Sequence, residues 1–249
     1  MKKLFALMLA LCLLVPCFAA LAEEDLPVLT MGTNAAFPPY EYYEGEEIVG
    51  IDAEVAAVIA EKLGMKLQIV DMDFSAIIGA VSTGKIDIGM AGMTVTEERL
   101  QSVNFSDSYA KGIQAVIVTE DSPIASIDDL YAEGADYKIG VQEATTGDIY
   151  CTDDFGEDNV LKYKTGPDAV EALKSGKVQC VIIDNEPAKA FVAANEGLKI
   201  LDSSYADEDY AIAVALENTE LLEKINAALA ELIQDGTLAA IVEKYIPAE

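Results

Sequence analysis

The 249-residue chain carries 16 Lys+Arg against 44 Asp+Glu, a formal charge of −28, and no histidine. A surface this acidic repels nucleic-acid phosphates and anionic lipid. Without histidine there is no Ser-His-Asp or Cys-His catalysis, no His-based catalytic zinc site and no imidazole proton shuttle. The chain is 52% apolar, with the apolar residues evenly spread, so it is expected to fold rather than stay disordered.

Met1, Lys2 and Lys3 precede an apolar run over 4–15 that falls short of the ~20 residues a membrane span needs. Ala20-Leu21-Ala22 supplies a small-x-small cleavage pattern, so residues 1–22 are expected to be a signal peptide cut before Glu23. A retained anchor and a lipid on Cys12 or Cys17 are the alternatives, although Leu11 and Pro16 are not the small residues a lipidation site prefers. Cleavage would leave 14 basic and 44 acidic residues, a formal −30, and only Cys151 and Cys180. These two form either one disulfide or a pair of small buried hydrophobes.

Strand-like segments are read at 28–32, 67–71, 86–90, 115–118, 137–141, 178–183, 198–201 and 211–216. Between them lie amphipathic helices at 52–63, 74–82, 167–174 and 219–234. Gly64, Gly84, Gly176 and Gly236 punctuate their ends, and Pro167 stands in a first turn. Alternation of this kind predicts an α/β fold with mainly parallel strands. Residues 80–92 (AVSTGKIDIGMAG) resemble 172–184 (ALKSGKVQCVIID): a helix end, a Ser/Thr-Gly-Lys turn, a buried strand and a loop. The similarity is either chance or the mark of two lobes of related construction. In the second case 109–118 carries the chain into the second lobe and 207–213 carries it back.

Ligands of open α/β sheets bind beyond the carboxyl ends of the strands. Applied here, that rule gathers Asn34 and Phe37, then Phe74, then Gly92, Thr94 and Arg99, then Gln142 and Thr145-Thr146-Gly147, and last Asp184. The Arg99 guanidinium fits a carboxylate, and Thr145-Thr146-Gly147 either offers its helix N-terminal N–H groups to an anion or is an ordinary cap. Thr96 is the expected N-cap of the helix that carries Arg99. Asp184 either holds an ammonium group or caps the helix near Pro187. Phe37 and Phe74 either flank a ligand side chain or belong to the core. Arg99 is otherwise a surface residue paired to Glu97 or Glu98. Taken together, the set describes a zwitterion site built from both lobes, with Gly92 letting backbone approach the ligand.

The motifs 32–41 (GTNAAFPPYE), 50–54 (GIDAE), 91–99 (AGMTVTEER), 104–109 (NFSDSY), 140–147 (GVQEATTG) and 184–187 (DNEP) resemble, in this order and spacing, the family-3 extracellular solute-binding proteins. These are the polar amino-acid receptors of ABC importers. The resemblance implies a two-lobed, type II periplasmic-binding-protein-like fold, each lobe a mainly parallel sheet flanked by helices, with two hinge strands. It places the first lobe at 23–112 and 212–249 and the second at 113–211. It implies that Arg99 binds the ligand carboxylate, Asp184 its amino group, Phe37 and Phe74 its side chain, and Gly92, Thr94 and Thr146 further hydrogen bonds, with Asn34 at the side-chain end.

Many relatives have aspartate where Asn34 stands, and some glutamine binders have lysine where Gln142 stands. Ala144 replaces a frequent glycine. A neutral ligand such as glutamine fits this set best, followed by a basic amino acid or cystine, for which Glu41 or Glu143 would supply charge. The expected protein is an exported monomer, periplasmic or on the cell surface, free or lipid-anchored. It needs no cofactor or metal, binds no nucleic acid and hands its amino acid to a membrane-embedded permease. The alternative is a same-fold enzyme of the cyclohexadienyl dehydratase type, which would need a crevice acid such as Glu143.

Overall fold

The protein is described by a computed structural model covering residues 26–202 and 205–247. The expected signal segment, with Cys12, Cys17 and the cut before Glu23, lies outside the described residues.

In chain order the elements are β1 (Val28–Thr33), a meander of β2 (Ala36–Phe37), β3 (Glu41–Glu44) and β4 (Glu47–Val49), then α1 (Ile51–Lys62), β5 (Lys66–Asp71), α2 (Phe74–Ser82), β6 (Ile88–Gly89) and β7 (Val103–Phe105). There follow β8 (Ala110–Thr119), β9 (Ile139–Gln142), α3 (Thr146–Phe155), β10 (Val160–Tyr163), α4 (Gly166–Lys174), β11 (Cys180–Asp184), α5 (Asn185–Ala194) and β12 (Leu198–Ile200). The chain ends with β13 (Ala206–Tyr210), β14 (Ala213–Ala215), α6 (Thr219–Gln234) and α7 (Thr237–Tyr245). Every strand and helix read from the sequence has a counterpart here. The small meander β2–β4 and the short strands β7, β10 and β13 go beyond that reading, because runs of two to five residues are too short to show a periodicity.

Two large sheets form beside the three-stranded meander β2-β3-β4. The first has the order β5-β1-β6-β14-β7, and the second β10-β9-β11-β8-β12 with β13 added to β8. In each sheet the three strands joined by helical crossovers are parallel, as β5, β1 and β6 are in one and β10, β9 and β11 in the other. The strands that bring the chain across run antiparallel to them. The C-terminal helices pack with α1 on the first sheet, where Leu29, Ile59, Ile225 and Leu229 are fully buried. A second core fills the other unit around Ile117, Val181 and Phe191.

The repeated Ser/Thr-Gly-Lys turns have one geometry. Gly84 and Gly176 sit at φ +68° and +74°, a region that glycine enters without steric cost. Gly84 and Gly176 N–H donate to Val81 and Leu173 carbonyls, and Lys85 and Lys177 N–H donate to Ala80 and Ala172 carbonyls, all at 2.9–3.0 Å. Each turn then delivers its strand, β6 or β11, into the middle of a sheet.

Two strands connect the units. β8 runs ten residues, longer than the 115–118 read from the sequence, and pairs with β13 over Ala110–Gln114 before entering the second sheet. The chain thus leaves on β8, returns on β13, and the two crossovers hydrogen-bond to each other. Cys151 and Cys180 are free thiols, fully buried in one apolar cluster under the second sheet. Burial pushes both thiols up, Cys180 to about 12.

Candidate functional site

The carboxyl ends of the central strands of both sheets open onto one cleft. All eight residues expected at the site line it: Asn34, Phe37, Phe74, Gly92, Thr94, Arg99, Thr146 and Asp184. Glu41, Gln114, Gln142, Thr145, Glu208 and Tyr210 also stand in its walls.

Arg99 is 8% exposed, which sets aside the reading as a surface residue paired to a neighbouring glutamate. The turn is a three-residue 3₁₀ helix, Arg99–Gln101, rather than a full α-helix, and its N-cap is Glu98 rather than the expected Thr96, although the Thr96 hydroxyl still accepts from Arg99 N–H at 3.1 Å. Arg99 Nη1 donates to the Thr94 carbonyl at 2.7 Å and Nη2 to the Ala144 carbonyl at 2.9 Å. The guanidinium lies 5.3 Å from the Phe74 ring centroid. Two of its five N–H groups are thereby used, leaving three for an anion. Burial lowers its pKa, with the Glu208 carboxylate opposing that shift.

Across the cleft, Thr145 caps α3 by accepting from Asp148 N–H at 3.3 Å. The first-turn N–H groups of Thr146 and Gly147 have no intrahelical carbonyl available to them, so the helix end is suited to an anion opposite Arg99. Ala144 takes φ +64°, a left-handed conformation that glycine enters without steric cost and alanine does not.

The capping reading of Asp184 holds, and the same carboxylate lines the cleft. It caps α5, its Oδ1 accepting from Glu186 N–H at 3.2 Å, and its Oδ2 accepts from Ile113 N–H at 3.0 Å and Tyr210 OH at 2.5 Å. It is 1% exposed, and burial pushes its pKa up to about 7 against the pull of those bonds.

Gly92 has φ +52°, and a Cβ there would stand 2.7 Å from Phe37 Cε1 and 3.3 Å from Tyr210. The two rings therefore require glycine here, whether or not a ligand is near. Gly92 N–H donates to Asp52 Oδ2 at 2.9 Å, which also accepts from Tyr109 OH at 2.9 Å. Behind them Glu41 and Asp52 are buried carboxyls in contact. Burial first, and then the adjacent Asp52, hold Glu41 well above the usual carboxylate range, and burial raises Asp52 itself to about 6.

At the other end of the cleft Gln142 Nε2 donates to Asn34 Oδ1 at 2.8 Å, and Asn34 Nδ2 donates to the Met72 carbonyl at 2.9 Å. On the rim, Lys164 Nζ reaches Glu143 at 2.6 Å and Asp73 at 3.3 Å, joining the two units. Gln114, Glu208 and Tyr210 were not legible as site residues. They come from the crossover strands, where pairing rather than local pattern decides which side chains face the cleft. The alternation of Glu208 and Tyr210 within 206–210 was the available signal.

Two α/β units facing each other across a cleft, joined by paired crossover strands, define the two-lobed binding-protein architecture. Residues 29–248 match the family model described as bacterial extracellular solute-binding proteins, family 3. The arginine-binding extracellular protein ArtP of Bacillus subtilis (strain 168) is 30% identical over 257 residues, an alignment spanning all of both chains. The glutamine-binding protein GlnH of the same organism is 30% identical, covering 93% of this chain and 86% of that one. Among solved structures, an ancestral arginine-binding protein bound to glutamine is 41% identical with a TM-score of 0.83, covering 89% of this chain and 98% of that one. The protein belongs to family 3 of the bacterial extracellular solute-binding proteins. Its named relatives are binding components of transporters, and it is a protein of that class rather than an enzyme.

Proposed function

We propose that the protein clamps one free polar L-amino acid in its cleft and, as an exported monomer, presents it to the permease of an ABC importer. The observation that carries this reading is the opposition of charges. Arg99 is the single cationic residue among the described lining residues, and Asp184 stands in the same cleft. In this reading the ligand carboxylate takes the spare Arg99 donors and the N–H groups at the start of α3. Asp184 draws the ammonium, Phe37 and Phe74 flank the side chain, and Thr94 and Gly92 add hydrogen bonds. The lobes are 23–112 with 212–249, and 113–211. Ligand contacts to both favour the closed arrangement, with β8 and β13 as the hinge.

For the side chain, L-glutamine is favoured. Its amide can insert donor and acceptor between Asn34 and Gln142, an amide pair already hydrogen-bonded at that end of the cleft. A cationic amino acid is the second reading, supported by Glu41, a buried acid on the wall that could surrender its proton to a cation. Isothermal titration with L-glutamine and L-arginine tests both. Micromolar affinity, about −8 kcal/mol, is expected for the true ligand. Absence of binding by every one of the twenty amino acids would refute the receptor reading.

A further inference from the structure

The face that the crossover strands turn toward the cleft carries acceptors that none of the described residues satisfies. The register sets Glu208 opposite Gly112, Ala206 opposite Gln114 and Tyr210 opposite Ala110, while Asp184 pairs Gln114 from the other side. Side chains two apart on a strand share a face, so Glu208, Tyr210, Gln114 and Asp184 emerge together. They are 6%, 1%, 4% and 1% exposed, and all four line the cleft. Gln114 Nε2 donates to Glu208 Oε2 at 2.9 Å. Glu208 Oε1 and Gln114 Oε1 are left with no donor among the described residues.

Asp184 is nearly saturated by comparison. It already accepts from Ile113 N–H, Tyr210 OH and Glu186 N–H. A ligand ammonium brings three donors, and Asp184 alone cannot receive them all. The empty acceptors also lie at the right end of the cleft. Glu208 is close enough to perturb both Arg99 and Asp184 electrostatically. In an α-amino acid the ammonium is two bonds from the carboxylate carbon, so an ammonium beside an Arg99-bound carboxylate meets the acceptors between Arg99 and Asp184.

We infer that Glu208 and Gln114, together with Asp184, form the cradle for the ligand's α-ammonium, with Glu208 a direct ligand-binding residue on the returning crossover strand. The inference rests on the amino-acid receptor reading and adds to it the residues that complete the ammonium's shell. It also gives the ligand a contact on the hinge itself.

The test is Glu208→Gln, titrated calorimetrically with L-glutamine and L-arginine, and in parallel with glutaramate and 5-guanidinopentanoate, which lack the α-amino group. Gln at 208 replaces the empty acceptor by an N–H₂ that repels an ammonium and can donate to Gln114 Oε1. Affinity for the amino acid that wild type binds is expected to fall at least about tenfold. Affinity for its des-amino analogue is expected to stay the same or rise, and the unliganded melting temperature to stay the same or rise. Unchanged amino-acid affinity, or an equal loss for the analogue, overturns the inference while leaving the receptor reading intact. If Glu208→Gln does not fold, Glu208→Asp, which keeps the charge but withdraws it, carries the same comparison. Wild-type protein that binds none of the amino acids overturns both readings at once.

Discussion

Arg99 Nη2 donates to the carbonyl of Ala144 at 2.9 Å, a bond from the loop after β6 in the first sheet to the loop after β9 in the second. The side chain read as the carboxylate receptor therefore also ties the two units together. It holds Thr94 on its own side through Nη1, so its fork is oriented before any ligand arrives.

Replacing that fork separates charge from geometry. Arg99→Lys keeps the cation but cannot bridge Thr94 and Ala144 while also presenting paired donors. We expect Arg99→Ala to lower affinity for the amino acid by at least about 3 kcal/mol, more than a hundredfold, because a desolvated carboxylate would lose its partner. Arg99→Lys should lose about tenfold or more, within the range for charge-assisted hydrogen bonds. Equal affinities of wild type and Arg99→Ala by calorimetry would remove Arg99 from the site.

Ala144 at φ +64° holds a conformation that costs a non-glycine residue about 1–2 kcal/mol. Ala→Gly elsewhere destabilises by about 0.5–1 kcal/mol through the entropy of the unfolded chain. The two effects oppose here, so Ala144→Gly should leave stability unchanged or raise it by up to about 1 kcal/mol. Urea denaturation measures this, and a clear loss would mean that Ala144 is not strained.

Buried Asp184 and Asp52 give the pH dependence its sign. Their pKa values, about 7 and about 6, are raised above the ordinary 3.8, so between these limits the folded unliganded protein holds protons that the unfolded chain has released. Their contribution to stability is fully present below about pH 4 and is lost as pH rises through about 6 to 7. Ligand binding runs the other way, since an ammonium needs Asp184 ionised. Denaturation of the unliganded protein from pH 5 to 8 should show stability falling, while affinity rises up to tenfold per unit below about pH 7. Asp184→Asn should bind more weakly and flatten the affinity profile. A wild-type affinity independent of pH over this range would argue against Asp184 as the ammonium's counter-charge.

Asn34→Asp tests the side-chain end. The substitution keeps an acceptor for Gln142 but turns the Met72 bond into a contact between two oxygens. Stability should fall by about 1–3 kcal/mol. Affinity for L-arginine relative to L-glutamine should rise at least about tenfold, because a carboxylate gains a charged partner. If the ratio of the two calorimetric affinities does not move, position 34 does not face the ligand's distal group.

The outer Lys164 contacts should matter little. Lys164 is half-exposed, and its bonds to Asp73 and Glu143 are screened by solvent. Lys164→Ala is expected to change affinity by less than about 1 kcal/mol, with the difference shrinking as salt is raised. A larger, salt-independent loss would make this rim pair part of the closure itself.

The sequence by itself determined the alternation of strand and helix, the two related turn-and-strand units, and the loops that end in Arg99, Thr146 and Asp184. Helix caps, turn glycines and buried apolar runs act within a few residues of themselves, so a linear reading reaches them. The paired crossovers, the burial of Glu41 beside Asp52, and the orientation of Gln114, Glu208 and Tyr210 were decided only by tertiary structure. Strand register and burial arise between segments about a hundred residues apart, and the alternation of Glu208 and Tyr210 says that they share a face without saying whether that face meets water or the floor of a cleft.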